Sequence, residues 1–251
     1  MSLTVDLGGR HALVTGASSG LGARFARLLA GNGAKVALAA RRIDRLEALS
    51  RELGEAAMAT AVDVAEESAI ISGFDAAEAA FGRPIDTVIA NAGIDGQGMI
   101  TEQSEAEIER TLSINLKGAI LTAREGAKRI IANGVTNGRI VMVASITGFE
   151  ASPGLVAYSA SKAGVIQATR SMAREWARSG ICVNAISPGY IKTDINSEWF
   201  DTEAGARQVA RFPRKRLMGE EGMDGPVLFL CSDAAEFVTG ANFVLDDGQT
   251  L

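Results

Sequence analysis

Tyr158 and Lys162 stand four residues apart inside Val156–Arg178, a run whose length and composition predict a helix. At that spacing two side chains share one face, one turn apart. A phenol ordinarily ionises near pH ~10 and is a poor proton-transfer group at neutral pH. A neighbouring ammonium favours the phenolate and moves the hydroxyl toward the working range of an acid–base catalyst. Ser145 follows Arg139–Ala144, an apolar run that predicts a buried strand. A hydroxyl in that place can donate to an oxygen as negative charge develops on it. A second chemical feature lies near the start, where Thr15-Gly16-Ala17-Ser18-Ser19-Gly20-Leu21-Gly22 joins a strand to a helix. Glycines let the backbone turn tightly and approach a diphosphate, and the helix start offers free N–H groups and a positive dipole end. The loop lacks the Gly-Lys-Ser/Thr of a Walker sequence, and its spacing differs from GxGxxG. Each feature also has a plain structural reading: surface neighbours, a strand-end cap, a tight turn.

The elements that must position these residues alternate along the chain. His11–Thr15, Lys35–Ala40, Ala57–Val62, Asp86–Asn91, Arg139–Ala144, Ile181–Ser187 and Asn242–Leu245 read as strands. Helices are expected from the glycine loop to Asn32 and over Asp44–Leu53, Ser68–Phe81, Ser104–Ile114, Leu116–Asn133, Val156–Arg178 and Met223–Cys231. The strands are short and rich in Val, Ile and Ala without polar alternation, the pattern of strands covered on both faces. The alternation predicts an α/β fold, a doubly wound parallel sheet of about seven strands in one domain over residues 1–251. Residues 190–219 read as irregular with helical pieces, either a substrate-binding lid or a surface loop.

Composition narrows the function classes. Hydrophobic residues make up 47% of the 251, enough for a large core, and aromatics only 5%, so aliphatics must do most of the packing. The net charge is −5, and no basic run alternates with aromatics, so nucleic acid is not an expected partner. No window of about 18 apolar residues appears, and no membrane span or targeting segment is expected. Two cysteines without a CxxC pattern and a single His11 offer no metal cluster and suit a reduced cytoplasmic location, with Cys182 read as a buried thiol.

In order along the chain, these motifs resemble those of the short-chain dehydrogenase/reductase family. The glycine loop is similar to its TGxxxGxG, Asn91-Ala92-Gly93 to its NAG, Tyr158-Ser159-Ala160-Ser161-Lys162 to its YxxxK, and Pro188-Gly189 to its PG. Asn115, in Ser113-Ile114-Asn115-Leu116, resembles the family's helix Asn, and Asp247-Gly248 its DGG, with Gln249 in place of the second glycine and no functional consequence expected. The resemblance implies a Rossmann-type fold and a catalytic set of Asn115, Ser145, Tyr158 and Lys162. It implies cofactor contacts from Gly16, Ser18, Ser19, Gly20, Leu21, Gly22, Asp63, Val64, Asn91, Ala92, Gly93, Tyr158, Lys162, Pro188, Gly189, Ile191 and Thr193. Asp63 has a second reading as the cap of the next helix.

NAD-selective members carry Asp at about residue 40, where this chain has Ala40, preceded by Ala39 and followed by Arg41 and Arg42. The implied cofactor is NADP(H), with Arg41 and Arg42 both as cofactor contacts, Arg41 the main one to its 2′-phosphate and Ser18 a second; the other reading makes both arginines a solvated helix start. Substrate contacts are expected from Ser145, Phe149, Tyr158, Tyr190 and Trp199, with Ile94, Asp95, Ile146, Ile195 and Phe200 as further lining. That largely apolar set predicts a hydrophobic ketone or alcohol. A 3-oxoacyl thioester, its phosphate met by Arg207, Arg211 or Arg214 to Arg216, is an alternative; a non-catalytic dinucleotide sensor and a lyase or epimerase that uses the cofactor transiently are others. Leu116–Asn133 and Val156–Arg178 are apolar on more than one face and need partners on each, and the resemblance implies a homotetramer.

Overall fold

A computed structural model describes residues 5–191 and 200–251. Strands β1 (His11–Thr15), β2 (Lys35–Ala40), β3 (Ala57–Ala61), β4 (Thr87–Ala90), β5 (Gly138–Val143), β6 (Ile181–Pro188) and β7 (Asn242–Leu245) form one parallel sheet in the order β3-β2-β1-β4-β5-β6-β7. Helices α1 (Gly20–Gly31), α2 (Ile43–Leu53), α3 (Glu67–Phe81), α4 (Glu105–Leu112), α5 (Ala119–Ala132), α6 (Val156–Trp176), α7 (Glu203–Arg211) and α8 (Asp224–Cys231) connect and cover it. No described helix is long and apolar enough to cross a membrane.

The unbroken apolar character of the strands has its reason in the two cores. Along β1, Ala12 and Val14 pack on one side with Phe25 and Leu29 of α1 and Leu228 of α8. Leu13, between them, faces the other side with Phe74 of α3, Ile130 of α5 and Val165 of α6. Successive strand residues point to opposite faces, so a strand with a core on each face leaves few positions for a polar side chain, each of which must find a partner. The strand order reverses between β1 and β4, and the connections leave the carboxyl ends of these two strands facing an open crevice. In open α/β sheets that crevice is where ligands bind.

The structure differs from the expected helices chiefly in two places. The break expected near Asn115 is absent: α4 runs into α5 through a π-helical turn over Ser113–Gly118. That wider turn lets Gly118 pass where a Cβ would lie 2.8 Å from the Val64 carbonyl oxygen, and it carries Asn115 to a buried position. The long helix α6 stops at Trp176 rather than Arg178, passing through a short 3₁₀ turn to Gly180 at φ 70°, a left-handed residue that ends it. A helical piece expected within residues 190–219 is α7, whose start is capped by Thr202, which accepts from the Gly205 N–H at 3.1 Å.

Candidate active site

The glycine loop is stapled across the crevice to the residues after β4. Thr15 Oγ1 accepts the N–H groups of Asn91 at 3.0 Å and Ala92 at 3.1 Å, and the Asn91 side-chain amide donates to the Thr15 carbonyl at 2.9 Å. Gly16 and Gly22 are demanded by this packing. A Cβ on Gly16 would lie 2.9 Å from the Ala92 Cα, and one on Gly22 would lie 2.3 Å from the Gly16 carbonyl oxygen. Gly20 is different: a Cβ there would meet nothing within 4 Å. It opens α1, and no side chain caps that helix start among the described residues. The result is an open concavity of backbone N–H groups of the kind that takes a diphosphate. The residues present therefore fit a dinucleotide.

The two arginines expected at the corner beside this cradle take different partners. Arg42, not Arg41, reaches the glycine loop: its Nη2 donates to Ser18 Oγ at 2.9 Å and to Ser19 Oγ at 2.7 Å. Arg41 turns the other way, with Nη1 4.0 Å from Asp63 Oδ2. Successive residues leaving a strand point to opposite sides, so only one of the two can face Ser18. Asp63 also accepts from the Ala65 N–H at 3.0 Å, a local turn leading toward α3. Val64 is buried against the π-helical turn.

Ser145 follows β5, and its Oγ accepts from the Thr147 N–H at 3.2 Å and the Thr147 hydroxyl at 3.1 Å. It also lies near enough to the Tyr158 hydroxyl to favour the phenolate. Lys162, one turn along α6, is fully enclosed; its Nζ donates to the Val143 carbonyl at 2.9 Å and lies 5.6 Å from the centre of the Tyr158 ring. Burial pushes the Lys162 ammonium down to about 8. Asn115 braces the loop after β4: Oδ1 accepts from the Ile94 N–H at 2.8 Å, and Nδ2 donates to the Ile94 carbonyl at 2.7 Å and to Ser161 Oγ at 3.3 Å. A Cβ on Gly93 would lie 3.3 Å from Asn115 Oδ1 and 3.6 Å from Lys162 Nζ, so all three meet at one point.

The Tyr158 hydroxyl is not lowered in the protein chain alone. Burial pushes its pKa above the ordinary phenol value, against the Ser145 contact, and the nearby Asp95 carboxylate and Tyr190 hydroxyl push it the same way. Enclosure disfavours both charged forms, the Lys162 ammonium and the Tyr158 phenolate, and the lowering expected from the sequence relies on an oxidised nicotinamide as well as on the Lys162 charge.

On the substrate side, Tyr190 follows Pro188-Gly189. Its hydroxyl is 2.9 Å from Ser152 Oγ, and its ring packs against Phe200 and Phe212 with centroids 6.0 Å and 5.9 Å away. Ile146 is buried behind Ser145, whereas Phe149 is exposed. Gly189 donates to the Leu245 carbonyl at 2.9 Å, and Ile191 makes a parallel bridge with Met218. Thr193, Ile195 and Trp199 lie outside the described residues.

Residues 10–204 match the family model described as short chain dehydrogenase. The chain belongs to the short-chain dehydrogenase family. Among its relatives are a cis-4-hydroxycyclohexanecarboxylate dehydrogenase from Sinomonas cyclohexanicum, 39% identical over 96% of this chain and 96% of that protein. A D-threitol dehydrogenase from Mycolicibacterium smegmatis is 36% identical over 99% of this chain and 97% of that protein. The solved structure of a gluconate 5-dehydrogenase from Burkholderia cenocepacia, in complex with NADP and tartrate, is 32% identical with a TM-score of 0.92, covering 98% of this chain and 96% of that one. This short-chain dehydrogenase is thus an oxidoreductase acting on carbonyl and alcohol groups, with a Rossmann-type fold for a dinucleotide.

Several residues of this dehydrogenase's site escaped the sequence reading. Thr15, the staple across the crevice, was legible only as the residue before Gly16. Ser152 and Thr147 lie in a loop that carries no motif. Gln249 had a signal, the departure from DGG, yet its partner is 59 residues away in the chain.

Proposed function

We propose that this enzyme interconverts a ketone and a secondary alcohol with NADP(H), Tyr158 being the proton-transfer group. The observation that carries the reading is the Ser145–Tyr158 contact, with Lys162 beneath it and the dinucleotide cradle at the same end of the sheet. A bound nicotinamide supplies or accepts the hydride. Ser145 donates to the substrate oxygen as charge builds on it. Tyr158, whose raised pKa keeps it protonated, gives its proton to that oxygen in reduction and takes it back in oxidation. Lys162, steered by the Val143 carbonyl, offers its remaining N–H groups toward the crevice, and Asn115 holds the loop that forms the crevice wall.

NADP(H) over NAD(H) is supported by the Ser18, Ser19 and Arg42 cluster beside Ala40. Three donors converge there with no carboxylate at the strand end to repel a 2′-phosphate. A hydrophobic substrate body is supported by the aromatic wall of Tyr190, Phe200 and Phe212. The thioester alternative is weakened because Arg214 and Arg216 are paired with Asp247 and Arg207 with Glu203. Residues 190–219 we read as the substrate lid. Exposed Val156, Ala160 and Ala163 on α6 and Ile131 on α5 support burial against further copies of the chain in a homotetramer. Two buried free cysteines support a reducing, cytoplasmic setting.

A panel of ketones and alcohols followed by NADPH absorbance tests the reading. Net cofactor turnover with at least one hydrophobic ketone is expected. Cofactor binding without turnover across the panel would favour a sensor, and substrate conversion without net NADPH loss an epimerase.

A further inference from the structure

Gln249 grips the residue that follows Pro188-Gly189 by both of its backbone groups. Its Oε1 accepts the Tyr190 N–H at 2.7 Å, and its Nε2 donates to the Tyr190 carbonyl at 3.0 Å. A Cβ on Gly189 would lie 2.6 Å from the same Oε1, so the clamp sits directly on the bend. The segment carrying Gln249 is itself tied down: Asp246 accepts from the Gly248 N–H at 2.9 Å, the Thr250 N–H at 2.9 Å and the Thr250 hydroxyl at 2.7 Å. A glycine in place of Gln249 could make neither contact with Tyr190. From this fixed backbone the Tyr190 ring leads between Phe200 and Phe212 to a hydroxyl 2.9 Å from Ser152 Oγ. That hydroxyl lies close enough to Tyr158 to bear on its ionisation. Two hydroxyls in mutual contact use one donor between them, which leaves a donor and lone pairs for a third group.

We propose that Gln249 is a positioning residue that holds Tyr190 in register with Ser152, and that this hydroxyl pair is a polar subsite for a second oxygen on the substrate, remote from the carbonyl that is reduced. The substrate class is then a hydroxyketone or diol with an apolar body, rather than a simple ketone. This rests on the proposed role of Tyr158 and refines it.

The test uses two matched pairs, cyclohexanone with 4-hydroxycyclohexanone, and 2-butanone with 4-hydroxy-2-butanone. For wild type, kcat/KM should favour the hydroxylated partner about tenfold in at least one pair, the size of one well-placed hydrogen bond. Tyr190→Phe and Ser152→Ala should each bring the ratio near one. Gln249→Gly should do the same mainly through KM, and Gln249→Glu, which keeps the acceptor for the Tyr190 N–H and loses the donor to its carbonyl, should retain part of the preference. Binding of cyclohexanol and 1,4-cyclohexanediol to the NADP⁺-saturated protein, read as a thermal shift, reports the subsite without turnover. If no ketone is reduced but the diol still binds more tightly than cyclohexanol, the reduction assigned to Tyr158 fails and the subsite stands. Equal behaviour of the hydroxylated and plain partners in both readouts overturns the subsite. A Gln249→Gly variant that loses kcat equally on both partners overturns the positioning role.

Discussion

Arg42 Nη2 donates to Ser18 Oγ at 2.9 Å, bridging the end of the second strand to the glycine loop, while its neighbour Arg41 faces Asp63. A 2′-phosphate on the adenosine ribose would meet the guanidinium and two serine hydroxyls together. Arg42→Ala should therefore lower kcat/KM with NADPH by about tenfold to a thousandfold, ~1.4 to 4 kcal/mol, and spare NADH. Ala40→Asp should reduce or invert the preference. Steady-state rates with both cofactors check this, and a wild type that prefers NADH would refute the assignment of this corner.

Tyr158→Phe keeps the ring and its packing and removes the proton donor. Turnover should fall by several orders of magnitude with NADPH affinity nearly unchanged. The measurements are kcat with a reducible ketone and cofactor binding by fluorescence. Retention of more than about a tenth of wild-type turnover would remove Tyr158 from the chemistry.

The two glycines of the cradle should separate folding from cofactor binding. Gly22→Ala puts a Cβ 2.3 Å from the Gly16 carbonyl oxygen and 2.6 Å from the Asn91 side-chain amide, which is itself held by the Thr15 carbonyl, and should cost about 1–3 kcal/mol or more of stability. Gly20→Ala enters open space at φ 51° and should cost about 1 kcal/mol from backbone strain, yet weaken dinucleotide binding strongly because the methyl fills the cradle. Thermal melting and NADPH titration of both variants test the contrast. Unchanged NADPH affinity in Gly20→Ala would show that the diphosphate sits elsewhere.

Lys162 carries a pH signature. Burial lowers its pKa to about 8, so it is charged below that value in the free enzyme and neutral above it. The kcat/KM for NADPH should decline as pH rises through about 8, because that ratio reports ionisations of the cofactor-free enzyme and the ammonium orders the site. The stability sign is the reverse. Between pH ~8 and ~10.4 the unfolded chain holds the Lys162 proton that the folded chain has lost, so this group's contribution to stability rises with pH across that window. Rate profiles from pH 6 to 10 for wild type and Lys162→Met decide the first point: a wild-type profile flat through pH 8 contradicts it.

Assembly is checked by light scattering at micromolar concentration. A homotetramer mass is expected, and Ala163→Arg on the exposed face of α6 should lower it. A monomeric wild type would overturn the assignment of that face to a partner.

The layered architecture was legible in the sequence because strands buried on both faces cannot hide their composition. Val14, Ile89 and Val141 are apolar for the same reason, a core pressing from each side. That Tyr158 and Lys162 share one helix face was legible because helical spacing is a local property, whereas the expectation that Asn115 and Ser145 join them came from the family resemblance. Other features depended on contacts between residues far apart in sequence. Arg139 opens β5 as an almost fully enclosed guanidinium, tolerated because its Nε finds the Ser232 carbonyl at 2.9 Å and its Nη1 the Gly138 carbonyl at 3.0 Å. Which of Arg41 and Arg42 meets Ser18 depended on how the chain leaves β2, and the direction of the Tyr158 shift on the balance of enclosure against charge. Gln249 became informative only when β6 and β7 brought it to Tyr190. Side-chain periodicity is written along the chain, whereas desolvation and long-range hydrogen bonds exist only after distant segments meet.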